Sequence, residues 1–188
     1  MGLAVTAVRR AWAADMHHFW FHKLGPADWF GGGPALDEAI GARFARWHAV
    51  LRSQPGGSFL DSPRGALAAV LLFDQVPRNV FRGTPAAFAT DPLALAITKA
   101  ALRREWDRGL NLSERQFLFM PLMHSEDICD QRMSLRLFAQ LPRRMGWDFA
   151  RSHHRMIARF GRYPHRNAVL GRDSSAAEQR AVEAGNAW

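Results

Sequence analysis

Apolar side chains recur at every third or fourth position along most of this 188-residue chain, and strand-like alternation is absent. That periodicity confines the fold to packed helices, the all-α class. Val5, Val8, Trp12, Met16 and Phe19 mark a first amphipathic helix ending near Phe21. The glycine-rich stretch 25–33 breaks it. A second helix is expected over 34–53, with Ile40, Phe44, Trp47 and Leu51 on its buried stripe. Ser62-Pro63, Thr84-Pro85 and Asp91-Pro92 each read as a cap followed by proline at the first helical position. From Ala66 to Gln75 the chain is apolar on every side until Asp74, the pattern of a central, fully packed helix. A further helix is expected over 92–106. Ser113 to Gln116 reads as a capping box opening a helix that Pro121 splits, with a new start capped by Ser125 and running to near Leu141. Residues 146–160 form the next helix, and a second capping box, Ser175 to Glu178, opens the last, to about Gly185. The expectation is about seven to nine helices joined by short loops in a single domain, 1–188.

Composition excludes several classes. No run of about 18 apolar residues is present, so no membrane span is expected. Asp15, His17 and His18 interrupt any apolar stretch after Arg9 and Arg10, which argues against a secretory signal. The single cysteine, Cys129, allows no internal disulfide and fits a reducing cytoplasm; a buried helix face is its expected position. Of the net charge of +8, residues 142–172 carry +7. Arg151, Arg155 and Arg159, with His154 and Arg162, form a basic stripe. Aromatic residues are not interleaved along it, and Trp147, Phe149 and Phe160 read as core, so a solvated face is preferred to a nucleic-acid track.

Three segments concentrate polar chemistry beside buried runs. They are Asp74 to Gly83, His124 to Arg132 and Arg159 to Asn167. Polar groups next to a core must find partners, at about 1–3 kcal/mol for each one left unpaired.

These segments, together with Phe19-Trp20-Phe21, residues 87–91 and the extension to Arg172, resemble the hallmark blocks of the bacterial family called domain of unknown function 924. Val76 and Tyr163 stand where the family usually has Phe, and His22 where Gly is common. The resemblance implies helix hairpins in a right-handed array similar to tetratricopeptide repeats. It implies no activity, and fold alone licenses none.

The leading functional reading is a polar pocket for a small anionic metabolite, with acid–base or hydrolytic chemistry as a possible use. His124 and His165 are the proton-transfer candidates, and Asp127 orients a histidine. Arg78 and Arg166 are the anion clamps, with Asp74, Asn79, Arg82, Glu126, Asp130 and Asn167 completing the lining. The competing view is that these arginines are neutralised internally by Asp74, Glu126, Asp127 and Asp130. A helix starting at Ser125 would set Glu126 and Asp130 on one face. No metal-binding spacing such as His-Glu-x-x-His occurs, and no metal or cofactor is assigned. Whether the protein is an enzyme stays open at this level. The alternative is a helical module gripping a peptide or protein partner; nucleic-acid binding through 143–166 ranks last.

Overall fold

The computed structural model describes residues 11–185, which are helical and turn throughout and contain no strand. Two compact units are formed, Met1–Arg82 with Ala86–Pro121, and Gly83–Pro85 with Leu122–Trp188.

In the first unit, helix α1 occupies residues 11–18 and continues as a π turn, Phe19–Lys23. Then come α2 (Pro26–Gly31), α3 (Pro34–Leu51), α4 (Pro63–Val70), a π turn Leu71–Gln75, α5 (Val76–Val80) and α6 (Asp91–Arg103). Helix α7 (Leu112–His124) contributes its larger part. Ser62 caps α4 by accepting from the Gly65 N–H, as the sequence implies. A Cβ at residue 65 would displace the Asp61 carboxylate. Every residue from Ala66 to Val76 is buried, which makes α4 and its π turn the centre of the unit. Helix α4 packs on α6, and α3 packs on α5. Trp12 and Met16 are buried as expected; Val5 and Val8 lie outside the described residues.

A buried threonine compensates for Pro77. Pro77 lacks the N–H that would bond the Phe73 carbonyl, and the Thr90 hydroxyl donates to that oxygen at 2.7 Å. The expected break at Pro121 does not occur: α7 runs through it to His124, and the Thr98 hydroxyl donates to Leu118 O in the same turn at 3.1 Å. The box opening α7 also lies two residues earlier than read. Asn111 Oδ1 accepts from the Glu114 N–H at 3.0 Å, and Glu114 Oε2 accepts from the Asn111 N–H at 2.8 Å. On α3, His48 takes the buried place expected of Trp47 and shares a 3.2 Å hydrogen bond with Thr90. Phe117 gathers the early aromatics, with ring centroids of Trp20, Phe21, Trp29 and Phe30 within 6.4 Å.

The second unit holds α8 (Ile128–Phe138) packed on α9 (Trp147–Phe160), a 3₁₀ turn Pro164–Arg166, and α10 (Ala176–Glu183). Gly146 (φ 102°) and Gly161 (φ 70°) bracket α9 in left-handed conformations that side chains disfavour. Met156, Ile157, Tyr163 and Ala181 form a core against which Ile128 and Phe160 pack. Ser175 and Glu178 form the expected capping box.

Candidate functional site

Four of the sequence-selected residues lie in the first unit, and three of them sit in ion pairs and one in a backbone contact. Asp74 is fully buried at the end of the central π turn and accepts from Gln75 Nε2 at 2.6 Å. Arg78, one turn on, reaches Asp74 Oδ1 at 3.4 Å and makes a bidentate pair with Asp91, both bonds 2.9 Å. Asp91 was expected to cap α6. Thr90 holds the cap position instead, and Asp91 in the first turn serves Arg78. Asn79 Nδ2 donates back to the Gln75 carbonyl at 2.9 Å. Arg82 is exposed and forks onto Asp37 at 3.0 and 2.9 Å; that hydrogen bond raises its pKa further.

The other seven, His124, Glu126, Asp127, Asp130, His165, Arg166 and Asn167, belong to the second unit. Here the sequence reading needs correction. Asp127, not Ser125, caps α8: its Oδ1 accepts from the N–H groups of Cys129 at 2.7 Å and Asp130 at 3.2 Å. The Ser125 hydroxyl donates to Asp130 Oδ2 at 2.9 Å. Glu126 therefore precedes the helix and does not share a helical face with Asp130. It spans to the third polar segment, accepting from the Tyr163 N–H at 2.8 Å and pairing with Arg172 at 2.8 and 3.0 Å. Burial works to raise its pKa, but the Arg172 guanidinium and the Tyr163 N–H outweigh burial and hold it below the ordinary carboxylate value. Cys129 is exposed, since the helix starts later than read and turns that position outward. Phe149 is 55 % exposed, contrary to its reading as core.

Tyr163, the only tyrosine of the chain, organises this region. Its hydroxyl donates to the Met123 carbonyl and accepts from Gln131 Nε2 at 2.7 Å. Gln131 Nε2 also faces the carbonyls of Met123 at 2.8 Å and Ser125 at 2.7 Å, so a buried amide staples the chain between α7 and α8. Around the phenol ring stand the imidazoles of His153, with centroids 5.4 Å apart, and His165, 5.5 Å apart; His124 lies 6.3 Å from His153. The Arg166 guanidinium sits 4.6 Å over the ring. Burial drives the His153 pKa down to about 3, aided by the charges of His124, Arg166 and His165 and opposed by its bond to the Phe149 carbonyl. His165 falls to about 4, from burial first and Arg166 second, with Glu126 opposing. Both imidazoles are neutral at neutral pH. Asn167 Nδ2 donates to Ser174 Oγ at 3.0 Å, and Arg162 is taken up by Glu178 at 2.7 and 3.0 Å.

His153, Tyr163, Gln131, Arg172 and Glu178 were absent from the sequence-derived set. The single tyrosine, and an arginine and a glutamate just beyond the third polar block, were the available signals; His153 had none. Among the described residues no group of three or more His, Cys, Asp or Glu side chains is arranged to hold a metal ion. No helix among them is long and apolar enough to cross a membrane.

An all-α protein with a buried histidine–tyrosine–arginine cluster is thus the class the coordinates define. The chain belongs to the family described as bacterial protein of unknown function (DUF924), whose model matches residues 16–186. It is similar to the solved structure of a protein of unknown function, ATU0120, from Agrobacterium tumefaciens. The two share 37 % identity with a TM-score of 0.87, over 93 % of this chain and 98 % of that one. No curated protein matches the sequence.

Proposed function

We propose that the protein binds a small anionic molecule at the cluster of His124, His153, His165, Tyr163 and Arg166, and that His124 and His165 exchange protons with it. The observation carrying this reading is the pair of imidazoles pressed to neutrality by burial and by neighbouring cations. An anion beside Arg166 would offset that positive field and lift the imidazole pKa values toward the range useful for acid–base chemistry. His124 and His165 are half-buried, within reach of solvent. Asp127 acts in this proposal as a helix cap, and Glu126, Asp130 and Asn167 hold the segment in shape. Asp74, Arg78, Asn79 and Arg82 serve as internal framework through the bonds described above.

The test is a histidine-detected NMR titration with inorganic phosphate, acetate and a panel of small carboxylates. Upward displacement of the His165 pKa by a saturating anion, abolished in Arg166→Ala, is the expected result. If no anion moves the His124 or His165 resonances, the reading falls.

The tetratricopeptide-like array remains part of this proposal, with α8 and α9, packed across the 139–146 connection, as one helix hairpin. So does the reading of 1–188 as one domain. The exposed thiol of Cys129 fits a cytoplasmic setting. The partner-binding reading has one observation in its favour, the exposed Phe149 on α9. Loss of a stoichiometric co-purifying chain in Phe149→Ser would select it. Retention on heparin that disappears when Arg151, Arg155 and Arg159 are reversed in charge would select the nucleic-acid reading.

A further inference from the structure

A cavity of about 560 Å³ lies in the first unit, bordered among others by Trp12, His17, Leu51, Phe59, Ser62 and Arg64. None of the residues assigned above to the candidate site borders it. Its size suits a small organic molecule. One wall is apolar: the rings of Trp12 and Phe59 meet edge to face at 6.4 Å and 82°, beside Leu51.

The polar side is organised by a carboxylate behind it. Glu114 is 2 % exposed, although the capping box asks only that its side chain reach the backbone N–H of the cap residue. Glu114 Oε2 makes that capping bond to Asn111. Its Oε1 meets His17 Nε2 at 2.5 Å and lies 3.7 Å from Arg64 Nε. Both of these partners line the cavity. With the carboxylate as acceptor, His17 Nε2 carries a proton, and in the neutral ring Nδ1 is then a hydrogen-bond acceptor. Arg64 is 73 % exposed, and among the described residues its terminal nitrogens make no hydrogen bond. One guanidinium fork matches the two oxygens of a carboxylate, and the Asp61 carboxylate on the same rim disfavours a doubly charged phosphate.

We infer that this cavity binds a small aromatic carboxylate bearing a hydrogen-bond donor. Its ring lies against Trp12, Phe59 and Leu51, its carboxylate on the Arg64 fork, and its donor on His17, with Glu114 as the positioning residue.

The experiment titrates 4-hydroxybenzoate into the full-length protein and follows the Trp12 indole, the His17 ring and the Gly65 amide by NMR. Saturable shifts at these three positions, in the millimolar range for so small a probe, are expected. The neutral 4-hydroxybenzamide should bind about tenfold more weakly, and Arg64→Ala should cost the acid a similar factor. Gln54→Trp, which fills the cavity without touching Glu114, should abolish the shifts. Glu114→Gln separates positioning from scaffolding: it should weaken 4-hydroxybenzoate but leave benzoate, which lacks the hydroxyl donor, unchanged. Absence of saturable shifts overturns the inference. So does binding that survives Gln54→Trp, or that ignores both Arg64→Ala and the loss of the probe's charge. The histidine cluster of the second unit takes no part in this measurement, so either proposal can fail alone.

Discussion

Glu114 and Glu178 occupy the same place in the same local motif, the third residue of a capping box, and both are buried. Their partners differ. At the start of α7, Glu114 meets the imidazole of His17, a group able to gain or lose a proton and bordering a cavity. At the start of α10, Glu178 is forked by Arg162 and touched by Asn167, and the arginine holds its pKa far below the ordinary carboxylate value. The arginine fork makes the second arrangement a closed staple, while the first borders a cavity. The histidines of the second unit meet cations where His17 meets a carboxylate. In the second unit burial comes first, and the neighbouring charges after it, in pressing His153 and His165 to neutrality.

The largest effect expected from this contrast is acid sensitivity of the second unit. The folded pKa of His153, about 3, lies below its ordinary 6.5, so the unfolded chain takes up the proton first as pH falls. Stability is then full above pH 6.5 and declines from there toward pH 3, with His153 contributing a loss of about 3 kcal/mol near pH 4.5. Urea titrations near pH 7 and pH 4.5 should show the loss, and His153→Phe should flatten it. An unchanged slope in that variant would break the contrast. Next in size, Glu178→Ala should lower the melting temperature more than Glu114→Ala, which is expected to cost about 1–3 kcal/mol. The depressed pKa of Glu178 means its contribution is present above the ordinary 4.5 and fades as pH drops below it, so the penalty of Glu178→Ala should shrink in strong acid.

Tyr163→Phe removes one of the two donors to the Met123 carbonyl and one acceptor of Gln131, and about 1–2 kcal/mol should be lost in chemical denaturation. The His165 titration should move little if the phenol is a scaffold, whereas a large movement would place it in the chemistry. Smallest, Asn111→Ala and Ser175→Ala should each cost about 1 kcal/mol by thermal melting. Equal costs would locate the difference between the two boxes in their long-range partners; unequal ones would return it to the caps.

The helical class, the central position of 66–75 and the Ser62 and Ser175 caps were readable from spacing because helix periodicity and capping are local events. The start of α8 was misread for a related reason. Ser125 and Asp127 are both good caps, and the choice depended on Asp130 and Gln131 pulling Ser125 into other bonds. Pro121 misled because the helix around it is held by burial of Phe117 to Met120, Leu122 and Met123, which depends on the rest of the fold. Glu126 bonds the stretch 163–172 through Tyr163 and Arg172, neither of which was among the residues chosen.

Amphipathic spacing and turn residues were enough to establish the helical class and the buried run at 66–75, since each depends on neighbours within a few positions. Which carboxylate meets an arginine and which an imidazole depends on residues as many as 97 positions apart. Burial and charge at such meetings set the protonation states, and nothing in local spacing encodes them.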